Sequence, residues 1–155
     1  PDVVTVTAAI GGGGLLTGVG SAIKTMKPEV KVWGAEPETA APGALSFAKQ
    51  SPQVFTHWKQ SFVDGAGGKS IFPRMWERMQ PVADGSIVVS LEETKRAMRL
   101  LAEKTRVIAE GAGALSVAAA LTGKAGSGPI VAVVSGGNID LDKFFELISS
   151  VSLPS

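Results

Sequence analysis

Four consecutive glycines, Gly11 to Gly14, separate an apolar segment from a segment with helical spacing. The preceding residues 3–10, VVTVTAAI, are apolar and β-branched on both faces, which is typical of a strand buried in a parallel sheet. A helix after such a strand begins with N–H groups that have no partner within the helix, and these groups attract anions. Glycines let several N–H groups approach one phosphate without obstruction by side chains. The pattern predicts a phosphate-binding loop; a slack linker, the alternative, fits poorly between a strand and a helix this close together.

The common nucleotide-binding motifs do not match these glycines. A dinucleotide site needs G-x-G-x-x-G, but the sixth position, counted from Gly11 or Gly12, is Leu16 or Thr17. The P-loop pattern G-x-x-x-x-G-K-[ST] is also absent from the chain. Glu36, at the end of the next predicted strand, resembles the acid that binds ribose in dinucleotide folds. A dinucleotide site therefore stays open as the alternative to another phosphate compound.

A second strand-like segment also runs into glycines. Residues 129–134, PIVAVV, are followed by Ser135, Gly136, Gly137 and Asn138. In α/β proteins, ligands bind at the carboxyl ends of parallel strands. If this strand lies beside the first one, Ser135 could contact the far end of a ligand whose phosphate lies on the glycines. A serine in such a place is by itself more typical of a turn or helix cap, but the glycine loop makes it a binding candidate.

Strands and helices alternate through most of the remaining chain. Residues 37–85 show no clear pattern, except that 72–79 could form a helix. The predicted elements are a helix after the glycines that ends at Pro28, strands 30–35 and 86–90, a helix with a Ser90–Glu93 capping box, a helix within 110–123 and a last helix capped by Asp140. This alternation predicts one α/β domain over residues 1–155, with a mainly parallel sheet and helices on both faces.

Composition argues against several classes of protein. A formal net charge of +1 argues against nucleic-acid binding, and no apolar run reaches the length of a membrane span. The chain has no cysteine, which fits a reducing compartment, so we predict a cytoplasmic protein. His57, the only histidine, has no nearby partners of metal-binding type, and we expect it to lie at the surface or in packing. The chain opens at Pro1, so we expect a preceding segment to be missing.

Four segments, taken in order, resemble one known family. They are GGGGLLTGVGSAIK, VKVWGAEPE, RVIAEGAGALSVAAAL and VAVVSGGNIDLDKF. Together they closely resemble the C-terminal half of pyridoxal-phosphate enzymes of the tryptophan-synthase-β fold type, in particular the threonine/serine dehydratases, with the serine racemases beside them. The resemblance covers nearly the whole chain and is weakest over residues 38–85. Cysteine synthases are less similar, because threonines interrupt the glycines of their phosphate loop.

The resemblance implies contacts with pyridoxal 5′-phosphate. Backbone N–H groups would bind the cofactor phosphate at Gly11, Gly12, Gly13, Gly14 and Leu15. Ser135 would hydrogen-bond the pyridine nitrogen, and a neutral hydroxyl there makes the ring a weaker electron sink, which suits β-elimination. Glu110 matches an acidic position near the cofactor, although a helix N-terminus also favours glutamate. Asp64-Gly65 resembles a turn beside the ring, and an ordinary turn explains it equally well.

The chain departs from the family in two respects. The lysine that binds the cofactor covalently lies in an S-x-K-x-R-G motif of the N-terminal half, and no lysine here has that context. We therefore predict that the N-terminal half is a second chain or a cleaved fragment, that this chain alone is inactive, and that the complete unit is a homo-oligomer. Serine racemases also bind a divalent cation through a glutamate, a carbonyl four residues on and an aspartate six residues on. Glu36 and Ala40 fit, but Pro42 does not, so we expect no metal site.

The activity that the resemblance implies is dehydration and deamination of L-threonine or L-serine to a 2-oxo acid and ammonia, once the N-terminal half is present. Two alternatives remain from the sequence. One is an amino-acid racemase of the same fold. The other is a non-catalytic domain that binds a phosphate ligand or a partner chain.

Overall fold

The computed structural model describes residues 2–153 and shows a four-stranded parallel sheet with helices packed against it. The strands are β1 (Thr5–Ala9), β2 (Lys31–Pro37), β3 (Gly85–Val89) and β4 (Ile130–Ala132). The helices are α1 (Gly14–Met26), α2 (Pro42–Lys49), α3 (Pro73–Met79), α4 (Leu91–Thr105), α5 (Gly111–Leu121) and α6 (Leu141–Ser149). The α/β class and the parallel sheet are confirmed.

The strand order, β3-β2-β1-β4, places the two glycine-containing loops side by side. Thr5 of β1 lies opposite Lys31 of β2 on one side and opposite Ile130 of β4 on the other. Both pairings are parallel, so the carboxyl ends of all three strands meet at one edge of the sheet. The condition that the sequence left open for Ser135 is therefore met.

Helices cover both faces of the sheet, as predicted. On one face, α4, α5 and α6 bury Met98, Leu115 and Phe144 against the strands. On the other face, α1, α2 and α3 enclose a second cluster that includes Leu16 and Met79. Full burial of one such side chain stabilises the fold by about 1.5–3 kcal/mol. The two clusters stabilise the sheet and so fix the positions of the loops at its edge.

The predicted helix starts agree only in part with the structure. Ser90 and Glu93 form the expected capping box of α4. Asp140 is the N-cap residue of α6, as predicted, but its side chain makes no capping hydrogen bond. Helix α2 was not predicted, and it begins with Pro42, whose missing N–H costs nothing at the first helical position.

Across residues 2–153, no helix is both long and apolar enough to cross a lipid bilayer.

Candidate functional site

The glycine loop turns the chain from the end of β1 into α1. Ile10 still extends the sheet, since its N–H donates to the Ala35 carbonyl at 2.9 Å. Gly13 then takes a left-handed conformation, with φ of 92°, as the N-cap of α1. A Cβ at Gly13 would lie 2.6 Å from Met75 Cγ, which is too close for any side chain. Glycine is therefore required at this position for both conformation and space.

The loop presents a row of unpaired backbone donors. The N–H groups of residues 11 to 16 form no hydrogen bond within the part of the chain that the structure describes, and Thr17 is the first to donate, to the Gly13 carbonyl at 3.0 Å. Gly12, Gly14 and Leu15 are exposed. The positive end of the α1 dipole adds to the attraction for an anion. These donors fit a phosphate group, which accepts several N–H hydrogen bonds at once.

Ser135 lies at the adjacent strand end. The Val133 N–H donates to the Thr7 carbonyl at 3.0 Å, so the backbone follows β1 for one residue beyond β4. Ser135 comes two residues later and is exposed. Its hydroxyl has no hydrogen-bond partner among residues 2–153. The Ser135 hydroxyl is therefore exposed at the strand end, and its contact with the cofactor stays a prediction.

Helix α5 is tied to both of these strands by buried hydrogen bonds. The Thr7 hydroxyl donates to the Ser116 carbonyl at 2.9 Å, and the Ser116 hydroxyl donates to the Val133 carbonyl at 2.6 Å. The Glu110 N–H, at the start of α5, donates to the Gly136 carbonyl at 3.1 Å. These bonds fix the N-terminus of α5 beside the loop that carries Ser135.

The Glu110 carboxylate faces this loop. Glu110 is the N-cap residue of α5, but its side chain makes no capping bond. A Cβ at Gly136 would clash with Glu110 Oε1, so the carboxylate lies directly against that glycine. It is half-buried and has no ion pair or hydrogen bond within the described chain. Its role as the acid near the cofactor stays a prediction.

The turn at Asp64 and Gly65 lies between the glycine loop and Glu110. A Cβ at Gly11 would lie 2.7 Å from the Gly65 carbonyl oxygen, and a Cβ at Gly65 would lie 3.8 Å from Glu110 Oε1. The Gly65 N–H donates to Asp64 Oδ1 at 2.8 Å, which stabilises the turn. The glycine loop, the Asp64–Gly65 turn, the start of α5 and the loop that carries Ser135 therefore converge at one edge of the sheet.

Glu36 lies elsewhere, inside the protein at the end of β2. Its carboxylate accepts hydrogen bonds from the Gly43 N–H, the Ala44 N–H and the Ser86 hydroxyl, each at 2.7 Å. Burial raises its pKa to about 7, and the three hydrogen bonds offset only part of that rise. These contacts were missed from the sequence. A usable signal was Pro42, which often marks the first position of a helix.

The surroundings of Glu36 do not fit a cation. N–H and O–H donors occupy its oxygens, and position 42, where the resemblance requires an aspartate, is the first residue of α2. Ala40 is buried in the turn between β2 and α2, with its N–H donating to the Pro37 carbonyl at 2.9 Å. No group of three His, Cys, Asp or Glu side chains within residues 2–153 is arranged to hold a metal ion. We assign no chemistry to a cation at this position.

Comparison with known proteins identifies the family. Residues 1–136 match the model of the family described as pyridoxal-phosphate dependent enzyme. The chain belongs to this family. An L-threonine ammonia-lyase from Thermotoga maritima is 38% identical over 150 residues, which is 96% of this chain. The glycines and the unpaired N–H groups of the loop fit the phosphate of the family's cofactor, pyridoxal phosphate.

Solved structures agree in fold. The processed form of threonine deaminase isoform 2 from Solanum lycopersicum superposes with a TM-score of 0.88 at 28% identity, over 98% of this chain. Maize serine racemase superposes with a TM-score of 0.84 at 29% identity, over 97% of this chain. The resemblance to the dehydratase and racemase branch, with its tryptophan-synthase-β-like fold, is thus confirmed. The chain spans 37% of the Thermotoga relative, 45% of the tomato chain and 49% of the maize chain.

Proposed function

We propose that this chain is the phosphate-binding half of a pyridoxal-phosphate-dependent lyase. The complete enzyme converts L-threonine or L-serine to a 2-oxo acid and ammonia. The observation that carries the proposal is the row of unpaired N–H groups at residues 11 to 16, at the same edge of the sheet as Ser135. The names of the Thermotoga and tomato relatives support this reaction class.

In this proposal the glycine loop anchors the cofactor through its phosphate. The N–H groups of Gly11 to Gly14 and of Leu15 donate to the phosphate oxygens, and the α1 dipole adds favourable electrostatic energy. Gly12 supports this role, because a Cβ there would meet no protein atom within 4 Å and its outer side is open to a ligand.

Ser135 and Glu110 act at the opposite end of the site. Bound pyridoxal phosphate would supply an electron sink for the carbanion that forms at the substrate Cα. The Ser135 hydroxyl donates a hydrogen bond to the pyridine nitrogen without transferring a proton. The Glu110 carboxylate lies against Gly136, and in this proposal it accepts a hydrogen bond from the bound ligand.

We further propose that residues 1–155 form one domain that needs an N-terminal half. That half, as a second chain or a cleaved fragment, supplies the lysine that binds the cofactor, since no lysine of this chain has the family's context. Cytoplasmic location and homo-oligomeric assembly stay predictions. The fraction of each relative that this chain covers supports the need for a further segment.

Amino-acid racemization is the second candidate, and the superposition with maize serine racemase favours it. The two reactions share cofactor and substrate but differ in product. A racemase returns D-serine, whereas a lyase releases pyruvate from serine and 2-oxobutanoate from threonine.

The test uses the full-length protein, or this chain reconstituted with its N-terminal half, with pyridoxal phosphate. Keto acid release is measured from L-threonine and L-serine, and D-serine is measured in parallel by chiral chromatography. Keto acid release that falls about tenfold in Ser135→Ala, the loss expected for one hydrogen bond, supports the lyase and the role of Ser135. D-serine without keto acid indicates the racemase. Cofactor binding without either product indicates a non-catalytic domain.

A further inference from the structure

Glu36 is a fully buried carboxylate outside the group of loops described above, with 0% of its surface exposed. Burial of a charge is costly unless donors surround it. Here two consecutive backbone N–H groups of α2 and one hydroxyl of β3 supply three hydrogen bonds, each at 2.7 Å. The carboxylate therefore joins the end of β2, the first turn of α2 and the start of β3 at a single point.

Gly43 connects this point to the glycine loop. A Cβ at Gly43 would lie 2.9 Å from both Glu36 carboxylate oxygens and 2.9 Å from Ile10 Cδ1. The first turn of α2 is thus held between the carboxylate and Ile10. Ile10 is 1% exposed, and its side chain also packs closely on Gly34 of β2. Ile10 directly precedes Gly11, so its position sets where the glycine loop begins.

We propose that Glu36 is a positioning residue for the phosphate loop: by holding the first turn of α2 against Ile10, its carboxylate fixes the start of Gly11–Gly14. The inference rests on the proposed role of the loop as the phosphate site. Without the carboxylate, the Gly43 and Ala44 N–H groups lose their acceptor, and the turn that supports Ile10 is free to shift. The N–H groups of the loop then no longer point at one phosphate position, although every group that contacts the phosphate is chemically unchanged.

The effect should be specific for the phosphate. In metal sites, residues that orient a ligand without contacting the metal change affinity by about 10- to 100-fold when they are altered, and we expect an effect of this size here. Glu36→Gln keeps the size of the side chain but replaces one acceptor oxygen by a donor, which opposes one of the N–H groups. Pyridoxal, which lacks the phosphate, gains nothing from the loop and serves as the comparison ligand.

The experiment measures dissociation constants for pyridoxal phosphate and for pyridoxal by absorbance titration of the full-length protein. We expect Glu36→Gln to weaken pyridoxal phosphate binding at least about tenfold and to leave pyridoxal binding unchanged. Ser86→Ala, which removes one of the three hydrogen bonds, should weaken it less and with the same selectivity. Equal loss for both ligands, or no loss in either variant, overturns the proposal.

Two further variants complete the design. Glu38→Gln alters a glutamate in the same segment whose carboxylate accepts from the Leu91 N–H at 3.0 Å instead, and both affinities should stay as in the wild type. Gly12→Asp places a negative charge in the loop at an exposed position with open space for a side chain. If Gly12→Asp weakens pyridoxal phosphate binding and Glu36→Gln does not, only the positioning role fails. If neither variant weakens it, the loop is not the phosphate site and the proposed function fails as well.

Discussion

Ionisation of Glu36 should make the stability of this protein depend on pH. Burial raises the pKa of Glu36 from 4.5 to about 7 in the folded protein. At low pH the carboxyl group is protonated in both the folded and the unfolded chain, so it creates no penalty. As the pH rises above 4.5, the unfolded chain loses this proton first, and the free energy of unfolding falls. The fall is complete once the pH exceeds about 7.

The size of this effect follows from the difference between the two pKa values. At 1.36 kcal/mol per pKa unit, a rise from 4.5 to about 7 lowers the free energy of unfolding by roughly 3 kcal/mol. That is a large part of the roughly 5–15 kcal/mol by which a typical folded protein is stable. Glu36→Gln cannot ionise, so it removes the pH-dependent part and leaves only the fixed cost of its altered hydrogen bonds.

The assay is urea unfolding of the full-length protein between about pH 4.5 and pH 8, followed by tryptophan fluorescence, to which buried Trp76 contributes. As the pH rises across this range, the free energy of unfolding of the wild type should fall by roughly 3 kcal/mol relative to that of Glu36→Gln. Glu38→Gln should keep the pH dependence of the wild type. A wild-type and a Glu36→Gln curve that run parallel at all pH values would refute the reasoning.

Four further substitutions test the loop, a helix cap and the core, with an exposed phenylalanine as the control for the core. Gly13 has φ of 92°, and a Cβ there would lie 2.6 Å from Met75 Cγ. Gly13→Ala should therefore lower the free energy of unfolding, measured in urea, by at least about 1–2 kcal/mol. An unchanged urea midpoint would contradict the left-handed conformation. Ser90→Ala removes the capping box of α4 and should cost about 1 kcal/mol in the same assay, and no loss would mean that the cap does not contribute. Phe144→Ala, at 1% exposure, should cost about 3–5 kcal/mol in thermal or urea unfolding. Phe145→Ala, at 57% exposure, should cost under about 0.5 kcal/mol, so equal losses would contradict the assigned burial.

The elements that were predicted well have local causes. The glycine run, the apolar strand before it and the Ser90–Glu93 box specify conformations through neighbouring residues, and each lies where the sequence placed it. The predicted helix at 72–79 corresponds to α3, Pro73–Met79. Strand β4 is shorter than the apolar run 129–134 that predicted it, because regular pairing with β1 covers only Ile130–Ala132.

Helix α2 was missed because much of its support is not local. Its first turn contains Gly43, which weakens a helix in isolation, and no side chain of its own N-cap residue, Ala41, forms a cap. The Glu36 carboxylate of β2 satisfies the first N–H groups instead. Pro42 signals the start of the helix, but nothing in the helix sequence shows that a carboxylate of the preceding strand supplies its cap.

The sequence by itself determined the alternation of strands and helices, the glycine loop that suits a phosphate, and the candidate residue Ser135, whereas Glu110 became a candidate only through the resemblance to the family. These features depend on backbone preferences and residue types that act over a few positions. Only the tertiary structure decided that β4 lies beside β1, that Glu110 faces Gly136, and that Glu36 is buried among three donors. The physical reason is that strand order and charge burial depend on partners distant in the chain, and no local pattern specifies which partners meet.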